Sequence, residues 1–254
     1  MDGMDAYGFA WCAFGRAPDS EQVESELPVT VTLAQHWKDS SGAGRHRGGS
    51  GATQHWMIHK VPELVSMCMG NGSKVPLGQP LFGGYASAPI PGISIRKTDL
   101  LQQMREGQTE LSMDHREIME KGTIHGNWNY ELVARTPKVF EEGDLLFGFS
   151  GGGPGYGDPL ERDPESILED LKKQIVSDWT AQQIYFLAYD PERRKLDVEK
   201  TKEQRDQERR ARLARGKSFD EFHKEWNKKS PPKEILQYYG SWPDAKPLGP
   251  VFRP

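Results

Sequence analysis

Pro28 to Trp37 alternates apolar and polar positions at the period of a β-strand, with Val29, Val31 and Leu33 on one face and Thr30 and Thr32 on the other. The same period returns in Ala52 to Lys60, where His55 and His59 share one side and Trp56 and Ile58 the other. Ser66 to Gly72 reads as a strand end closed by an Asn-Gly turn. Trp128 to Val139 reads as sheet again, and Leu145 to Phe149 is a short apolar run of the kind that forms a buried strand. Between them Pro76 to Gly92 is too rich in glycine and proline for a helix. Leu100, Leu101 and Met104, then Leu111, Ile118 and Met119, fit one or two short helices over Asp99 to Lys121, with the charged positions 114 to 121 as a solvated face.

After residue 150 the period changes to that of a helix. Asp163-Pro164 sets a capping carboxylate ahead of a proline at the first helical position, and Ile167, Leu168, Leu171 and Ile175 give one apolar face. Ser177-Asp178 begins a second helix, and Ile184 to Ala188 reads as a short strand. Val198 to Arg215 is a strong helix former, polar all round, with little to bury by itself. Ser218-Phe-Asp-Glu221 is a capping box that opens a helix with Phe219, Phe222 and Trp226 on one stripe, and Tyr238, Tyr239 and Trp242 follow. These aromatics are candidates for a subunit interface. The expected fold is α+β: a β-rich core, sandwich or barrel-like, over residues 1–190, with a helical tail over 191–254 for subunit docking.

Charge sharpens that division. The whole chain carries −4, yet Pro191 to Lys229 holds 14 Lys/Arg against 9 Asp/Glu, so a basic arm accompanies an acidic body. Acidic residues interleave along the arm and the pI is near 6.0, which argues against nucleic acid.

Chemistry concentrates in two glycine-rich runs. Ser150 to Asp158 (Ser-Gly-Gly-Gly-Pro-Gly-Tyr-Gly-Asp) joins the last strand to a helix start but fits neither common phosphate-binding spacing. Gly151, Gly152, Gly153, Gly155, Gly157 and Asp158 are therefore read as a structural motif. The second run, Asp39 to Gly51, carries Arg45 and Arg47 two residues apart. In an extended segment both guanidinium groups point the same way, which suits a carboxylate or phosphate on an anion path; the alternative is ion pairs that fasten the loop to the body. His55 and His59 lack a third ligand nearby and read as surface or interface histidines, not a metal site.

The 254 residues, 35% hydrophobic, are enough for one substantial core or two small ones. Cys12 and Cys68 read as free thiols. Neither a secretion signal nor a membrane span is expected, so a cytoplasmic location follows.

The run Gly151-Gly-Gly-Pro-Gly-Tyr-Gly-Asp-Pro-Leu-Glu-Arg-Asp-Pro-Glu165, followed by Ile167-Leu-Glu-Asp-Leu, strongly resembles the C-terminal end of the hydantoinase B/oxoprolinase family. Asp39-Ser-Ser-Gly-Ala-Gly-Arg-His-Arg-Gly-Gly-Ser-Gly51 is similar to that family's Ser-Gly-Gly-Ala-Gly-(Lys/Arg)-x-Arg-Gly-Gly-x-Gly. The resemblance spans roughly Glu24 to Asp190, and the tail resembles those of ketone carboxylase large subunits of the acetone/acetophenone type. It implies a subunit of a multi-subunit ATP-dependent ketone carboxylase acting on a ketone and bicarbonate. The alternatives are a subunit of a hydantoinase/oxoprolinase-type cyclic amide hydrolase and a non-catalytic scaffold. The family's metal-binding histidines and aspartate sit upstream of the region matched. The resemblance thus implies no cofactor in this chain, with ATP, Mg and a transition metal held by partners of hydantoinase A type and hydantoinase B N-terminal type. On this expectation the chain is inactive alone.

Overall fold

The computed structural model describes residues 1–5, 19–67, 72–73, 75–76, 78–108, 111–131 and 137–230. The chain divides into two units, Met1–Arg205 and Asp206–Pro254.

The first unit is organised by a five-stranded antiparallel sheet. β1 (Val29–His36), β2 (Ala52–Ile58), β4 (Gly92–Arg96), β5 (Asn127–Glu131) and β7 (Leu145–Phe149) lie in the order β1-β2-β7-β4-β5. A two-stranded ribbon of β3 (Glu63–Ser66) and β6 (Lys138–Glu141) stands beside it. The alternation read in β1 is interrupted by a bulge: Val31 lies opposite Trp56 and Leu33 opposite His55, leaving Thr32 as the extra residue.

Both faces of the sheet are covered. On one, Met57, Ile95, Leu145 and Phe147 meet Leu100 of α2 (Leu100–Arg105) and Ile118 of α3 (His115–Lys121). Burying an aliphatic side chain of this size contributes roughly 1.5–3 kcal/mol, so the two short helices are fastened by packing more than by propensity. On the other face, Val29 and Ile58 pack with Phe140 of the ribbon and Val23 of α1 (Ser20–Glu26). The α+β expectation holds, with the sheet flanked by α2 and α3 on one side and by the ribbon and α1 on the other. One detail of α3 differs: His115, placed by charge on a solvated face, is buried beside Ile118.

A third core follows the glycine run. Asp163 accepts from Ser166 N and Pro164 opens α4 (Pro164–Lys172), while Ser177 caps α5 (Asp178–Gln183), both as the sequence indicates. Ile167, Leu168, Leu171, Ile175, Ala181 and Tyr185 bury together. Ile184 to Ala188 is not a strand. Phe186 takes a positive φ of 52°, and pairing begins only at β8 (Tyr189–Asp190), which meets β9 (Lys195–Leu196). The backbone of this stretch turns back on α5, Leu187 N donating to Ala181 O at 2.9 Å, and is also met by side chains of α6 (Val198–Arg215). Thr201 Oγ1 accepts from Ala188 N at 3.0 Å and Arg205 Nε donates to Tyr185 O at 3.0 Å. Thr201 and Arg205 are buried, so the first half of this polar helix has more to bury than its composition suggests.

In the second unit the later part of α6 satisfies its own charges, Glu208 pairing with Arg212 at 3.0 Å and Arg215 at 2.7 Å. The capping box of Ser218 and Glu221 opens α7 (Phe219–Trp226). Phe219, Phe222 and Trp226 are all exposed, and Phe222 stacks on Trp226 with ring centroids 5.8 Å apart. Tyr238, Tyr239 and Trp242 lie outside the described residues, as do Cys12, Cys68 and Asn71.

Candidate functional site

Three loops interlock at one end of the sheet. Residues 40–51 leave β1, residues 81–88 precede β4, and residues 150–158 follow β7. They are joined backbone to backbone: Gly42 N donates to Gly153 O at 2.8 Å, Gly153 N to Gly49 O at 2.8 Å, and Gly155 N to Tyr85 O at 2.9 Å. His46 and Tyr156 exchange a reciprocal pair at 3.0 and 2.9 Å. This clasp explains the glycines of both motifs. A Cβ on Gly48 would stand 1.9 Å from Gly153 O, and one on Gly155 would stand 2.0 Å from Ala43 O. Asp158 completes the run by accepting from Leu160 N at 2.9 Å in a short 3-10 turn, Pro159–Glu161.

The two candidate arginines of the first loop do not share an environment. The Arg45 side chain is 59% exposed, with Glu161 at 3.8 Å, whereas that of Arg47 is 5% exposed. Arg47 Nε donates to Asp170 at 2.9 Å, and its two terminal nitrogens donate to the two oxygens of Asp5 at 2.6 and 3.1 Å. Arg162 mirrors it. Its terminal nitrogens donate to the two oxygens of Asp2 at 2.7 and 2.8 Å, and one also donates to Asp170 at 2.6 Å. Asp170 thus bridges two buried guanidinium groups, each gripped from the other side by an aspartate of the Met1–Asp5 segment. The loop adds backbone donors, Arg47 N to Asp2 at 3.1 Å and Ser50 N to Asp5 at 2.9 Å. For Arg47 this is the fastening role read as the alternative in the sequence.

Charge and burial oppose one another in this cluster. Burial raises the Asp2 and Asp5 carboxyls, but Arg162 beside the first and Arg47 beside the second hold both below the ordinary carboxylate value. Burial likewise disfavours the two guanidinium charges, and the aspartates more than offset it, raising both. Tyr185, over whose ring Arg162 lies at 5.8 Å, is pushed up to about 12, chiefly by burial. Arg205 Nη1 donates to Arg162 O at 2.7 Å and ties α6 to the same centre.

Asp2, Asp5, Arg162, Asp170 and Arg205 were not singled out by sequence. Arg162 and Asp170 lie within the family-like stretch, but nothing local marks Asp170 as a partner of Arg47, because that contact joins segments 123 positions apart.

The histidines also sort differently from expectation. His55 is fully buried, not at a surface: Nδ1 lies 2.7 Å from Met113 O, Nε2 lies 2.8 Å from Thr53 Oγ1, and the ring stands edge-on to His115 with centroids 5.5 Å apart. Burial brings His55 down to about 4 and lowers His115 too, so both favour the neutral form. His59 lies beyond the end of β2, with Nδ1 3.6 Å from Glu142. Among the described residues no three His, Cys, Asp or Glu side chains are grouped as a metal would require.

On the ribbon side of the sheet a cavity of about 310 Å³ is lined by Trp56, Phe140, Leu146, Gly148 and Ser94, with the Glu131–Lys138 ion pair among its walls. Gly148 leaves room for Trp56, whose indole a Cβ there would meet at 2.3 Å.

Comparison with known proteins gives this architecture a context. The chain is 46% identical over 253 residues to the acetophenone carboxylase delta subunit of Aromatoleum aromaticum, covering 99% of this chain and 37% of that protein. It is 27% identical over 191 residues to the acetone carboxylase alpha subunit of Xanthobacter autotrophicus, covering 73% of this chain and 24% of that one. The nucleotide-free structure of an acetone carboxylase superposes with a TM-score of 0.81 at 26% identity, over 90% of this chain and 31% of that chain. The chain therefore spans well under half the length of these relatives. Residues 1–159 match the hydantoinase B/oxoprolinase family. With nearly two thirds of its length matched and both glycine motifs built into one clasp, the chain belongs to the hydantoinase B/oxoprolinase family.

Proposed function

We propose that this chain is one component of a multi-subunit, ATP-dependent ketone carboxylase, to which it contributes a β-rich module that helps enclose the active site. The observation that carries this reading is the 46% identity to an acetophenone carboxylase subunit along 99% of the chain. The likeness to an acetone carboxylase described as acting by ATP-dependent carboxylation supports it.

The physical rationale is enclosure. Phosphorylated intermediates of an ATP-driven carboxylation would hydrolyse in open water, so the reacting groups need walls that exclude it. A clasp of three loops locked by backbone hydrogen bonds is a rigid wall of that kind. In this reading ATP, Mg and a transition metal are handled by partner subunits of hydantoinase A type and hydantoinase B N-terminal type. Arg45, exposed on the clasp, meets anions on their path, while Phe219, Phe222 and Trp226 meet a neighbouring subunit.

The test is a product assay on the complex isolated through this chain. ATP-dependent fixation of labelled bicarbonate into a ketone is expected. ATP-dependent opening of a lactam or hydantoin without any need for bicarbonate would overturn the carboxylase reading.

A further inference from the structure

We propose that Arg47 and Arg162 form a binding site for a free oxyanion, and that the Met1–Asp5 segment occupies it as a displaceable internal ligand. The occupant itself displays the site's chemistry. Each aspartate presents two oxygens to two terminal nitrogens of one guanidinium, the fork geometry by which arginine takes carboxylate or phosphate. Backbone N–H groups of Arg47 and Ser50 from the glycine loop complete the two cradles, as donors do around a bound anion.

The receptor half is held in place without the segment. Arg47 is fixed by Asp170 and by Gly48 O at 2.9 Å, and Arg162 by Asp170 and the Tyr185 ring. Arg162 is 2% exposed, and its buried Nε finds no hydrogen-bond partner among the described residues. With Asp2 and Asp5 in place, three carboxylates face two guanidinium groups. When the segment leaves, Asp170 alone faces both. The balance of charge then becomes positive, which favours entry of a small oxyanion such as phosphate over an unfilled site.

The experiment compares the full chain with its Asp2→Asn/Asp5→Asn variant, titrating inorganic phosphate by calorimetry against sodium chloride of equal ionic strength. Removing the two competing charges is expected to tighten phosphate binding by about tenfold or more, and adding Arg162→Gln to abolish the gain. A folded variant that binds no more phosphate than the parent, or a gain that survives Arg162→Gln, overturns the proposal. Should the variant fail to fold, hydrogen exchange on the unaltered chain decides. The Gly3 amide, bonded to Arg47 O at 2.9 Å, is expected to exchange faster at high phosphate than in matched chloride, and equal protection in both overturns the proposal.

Discussion

Asp170 Oδ1 lies 2.9 Å from Nε of Arg47, joining helix α4 to a loop that precedes it by 123 positions. The same carboxylate reaches Arg162 with its other oxygen at 2.6 Å, so one residue of α4 pairs with both buried guanidinium groups. Replacing Asp170 by Ala leaves two buried cations short of a partner, which is expected to lower stability by about 3 kcal/mol or more. Urea unfolding monitored by circular dichroism measures it. A loss below about 1 kcal/mol would place the cluster's weight elsewhere.

The clasp makes a contrast between glycines of neighbouring loops. Gly48→Ala puts a methyl 1.9 Å from Gly153 O, where only backbone movement can relieve it, while Gly153→Ala meets nothing nearer than 3.2 Å. The first substitution is expected to destabilise by about 1–3 kcal/mol or more and the second by much less. Thermal melts of the two variants check the order; equal losses would contradict the close approach.

Burial depresses His55 to about 4 from an ordinary 6.5, so the folded chain binds its proton less readily than the unfolded chain. That contribution, on the order of 3 kcal/mol, is fully present above pH 6.5 and is lost as pH falls from 6.5 towards 4. His115 acts in the same direction. Asp2, Asp5 and Asp114 are held below their ordinary value of 3.8, so their share is lost only at lower pH still. Stability measured from pH 7 to 4 should fall, and His55→Gln should flatten the slope. An unchanged slope in the variant would exclude His55 as its source.

Helix α6 predicts where the chain tolerates truncation. Ending the chain after Asp190 removes Thr201 and Arg205, whose hydrogen bonds to Ala188, Tyr185 and Arg162 hold the third core closed. Ending it after Arg215 keeps them. The shorter product is expected to melt several degrees lower or to be insoluble, and the longer one to match the parent. Equal melting of the two would show that the buried half of α6 is dispensable.

What the sequence made legible follows physical range. Elements set by short-range periodicity or capping appear where read: β1 and β7, the helices opened by Asp163-Pro164, Ser177 and Ser218, and the pair of short helices α2 and α3. Ile184 to Ala188 misled because its apolar residues face a core without pairing to a strand, their backbone being met by carbonyls of α5 and by Thr201 and Arg205. The arginine pair was legible in part: Arg47 fastens the loop by ion pairs, but Arg45 and Arg47 do not point the same way, one ending in solvent and the other in the body on either side of His46, which pairs with Tyr156. The partners of Arg47 come from positions 5 and 170, and no local pattern announces contacts of that span.

Phe219, Phe222 and Trp226 are exposed in α7 and lie outside the first unit. Replacing all three by Ser is expected to leave the melting of the first unit unchanged while reducing recovery of partner polypeptides on affinity purification. Undiminished recovery would remove these aromatics from the proposed interface.

The central claim, that this chain works only as part of an ATP-dependent ketone carboxylase, is tested most directly by tagging it at native expression and assaying ATP-dependent ketone carboxylation before and after separating it from its partners. The account predicts recovery with at least two other polypeptides, activity in the complex and none in the chain alone. Full turnover by the separated chain, or recovery without partners, would contradict it.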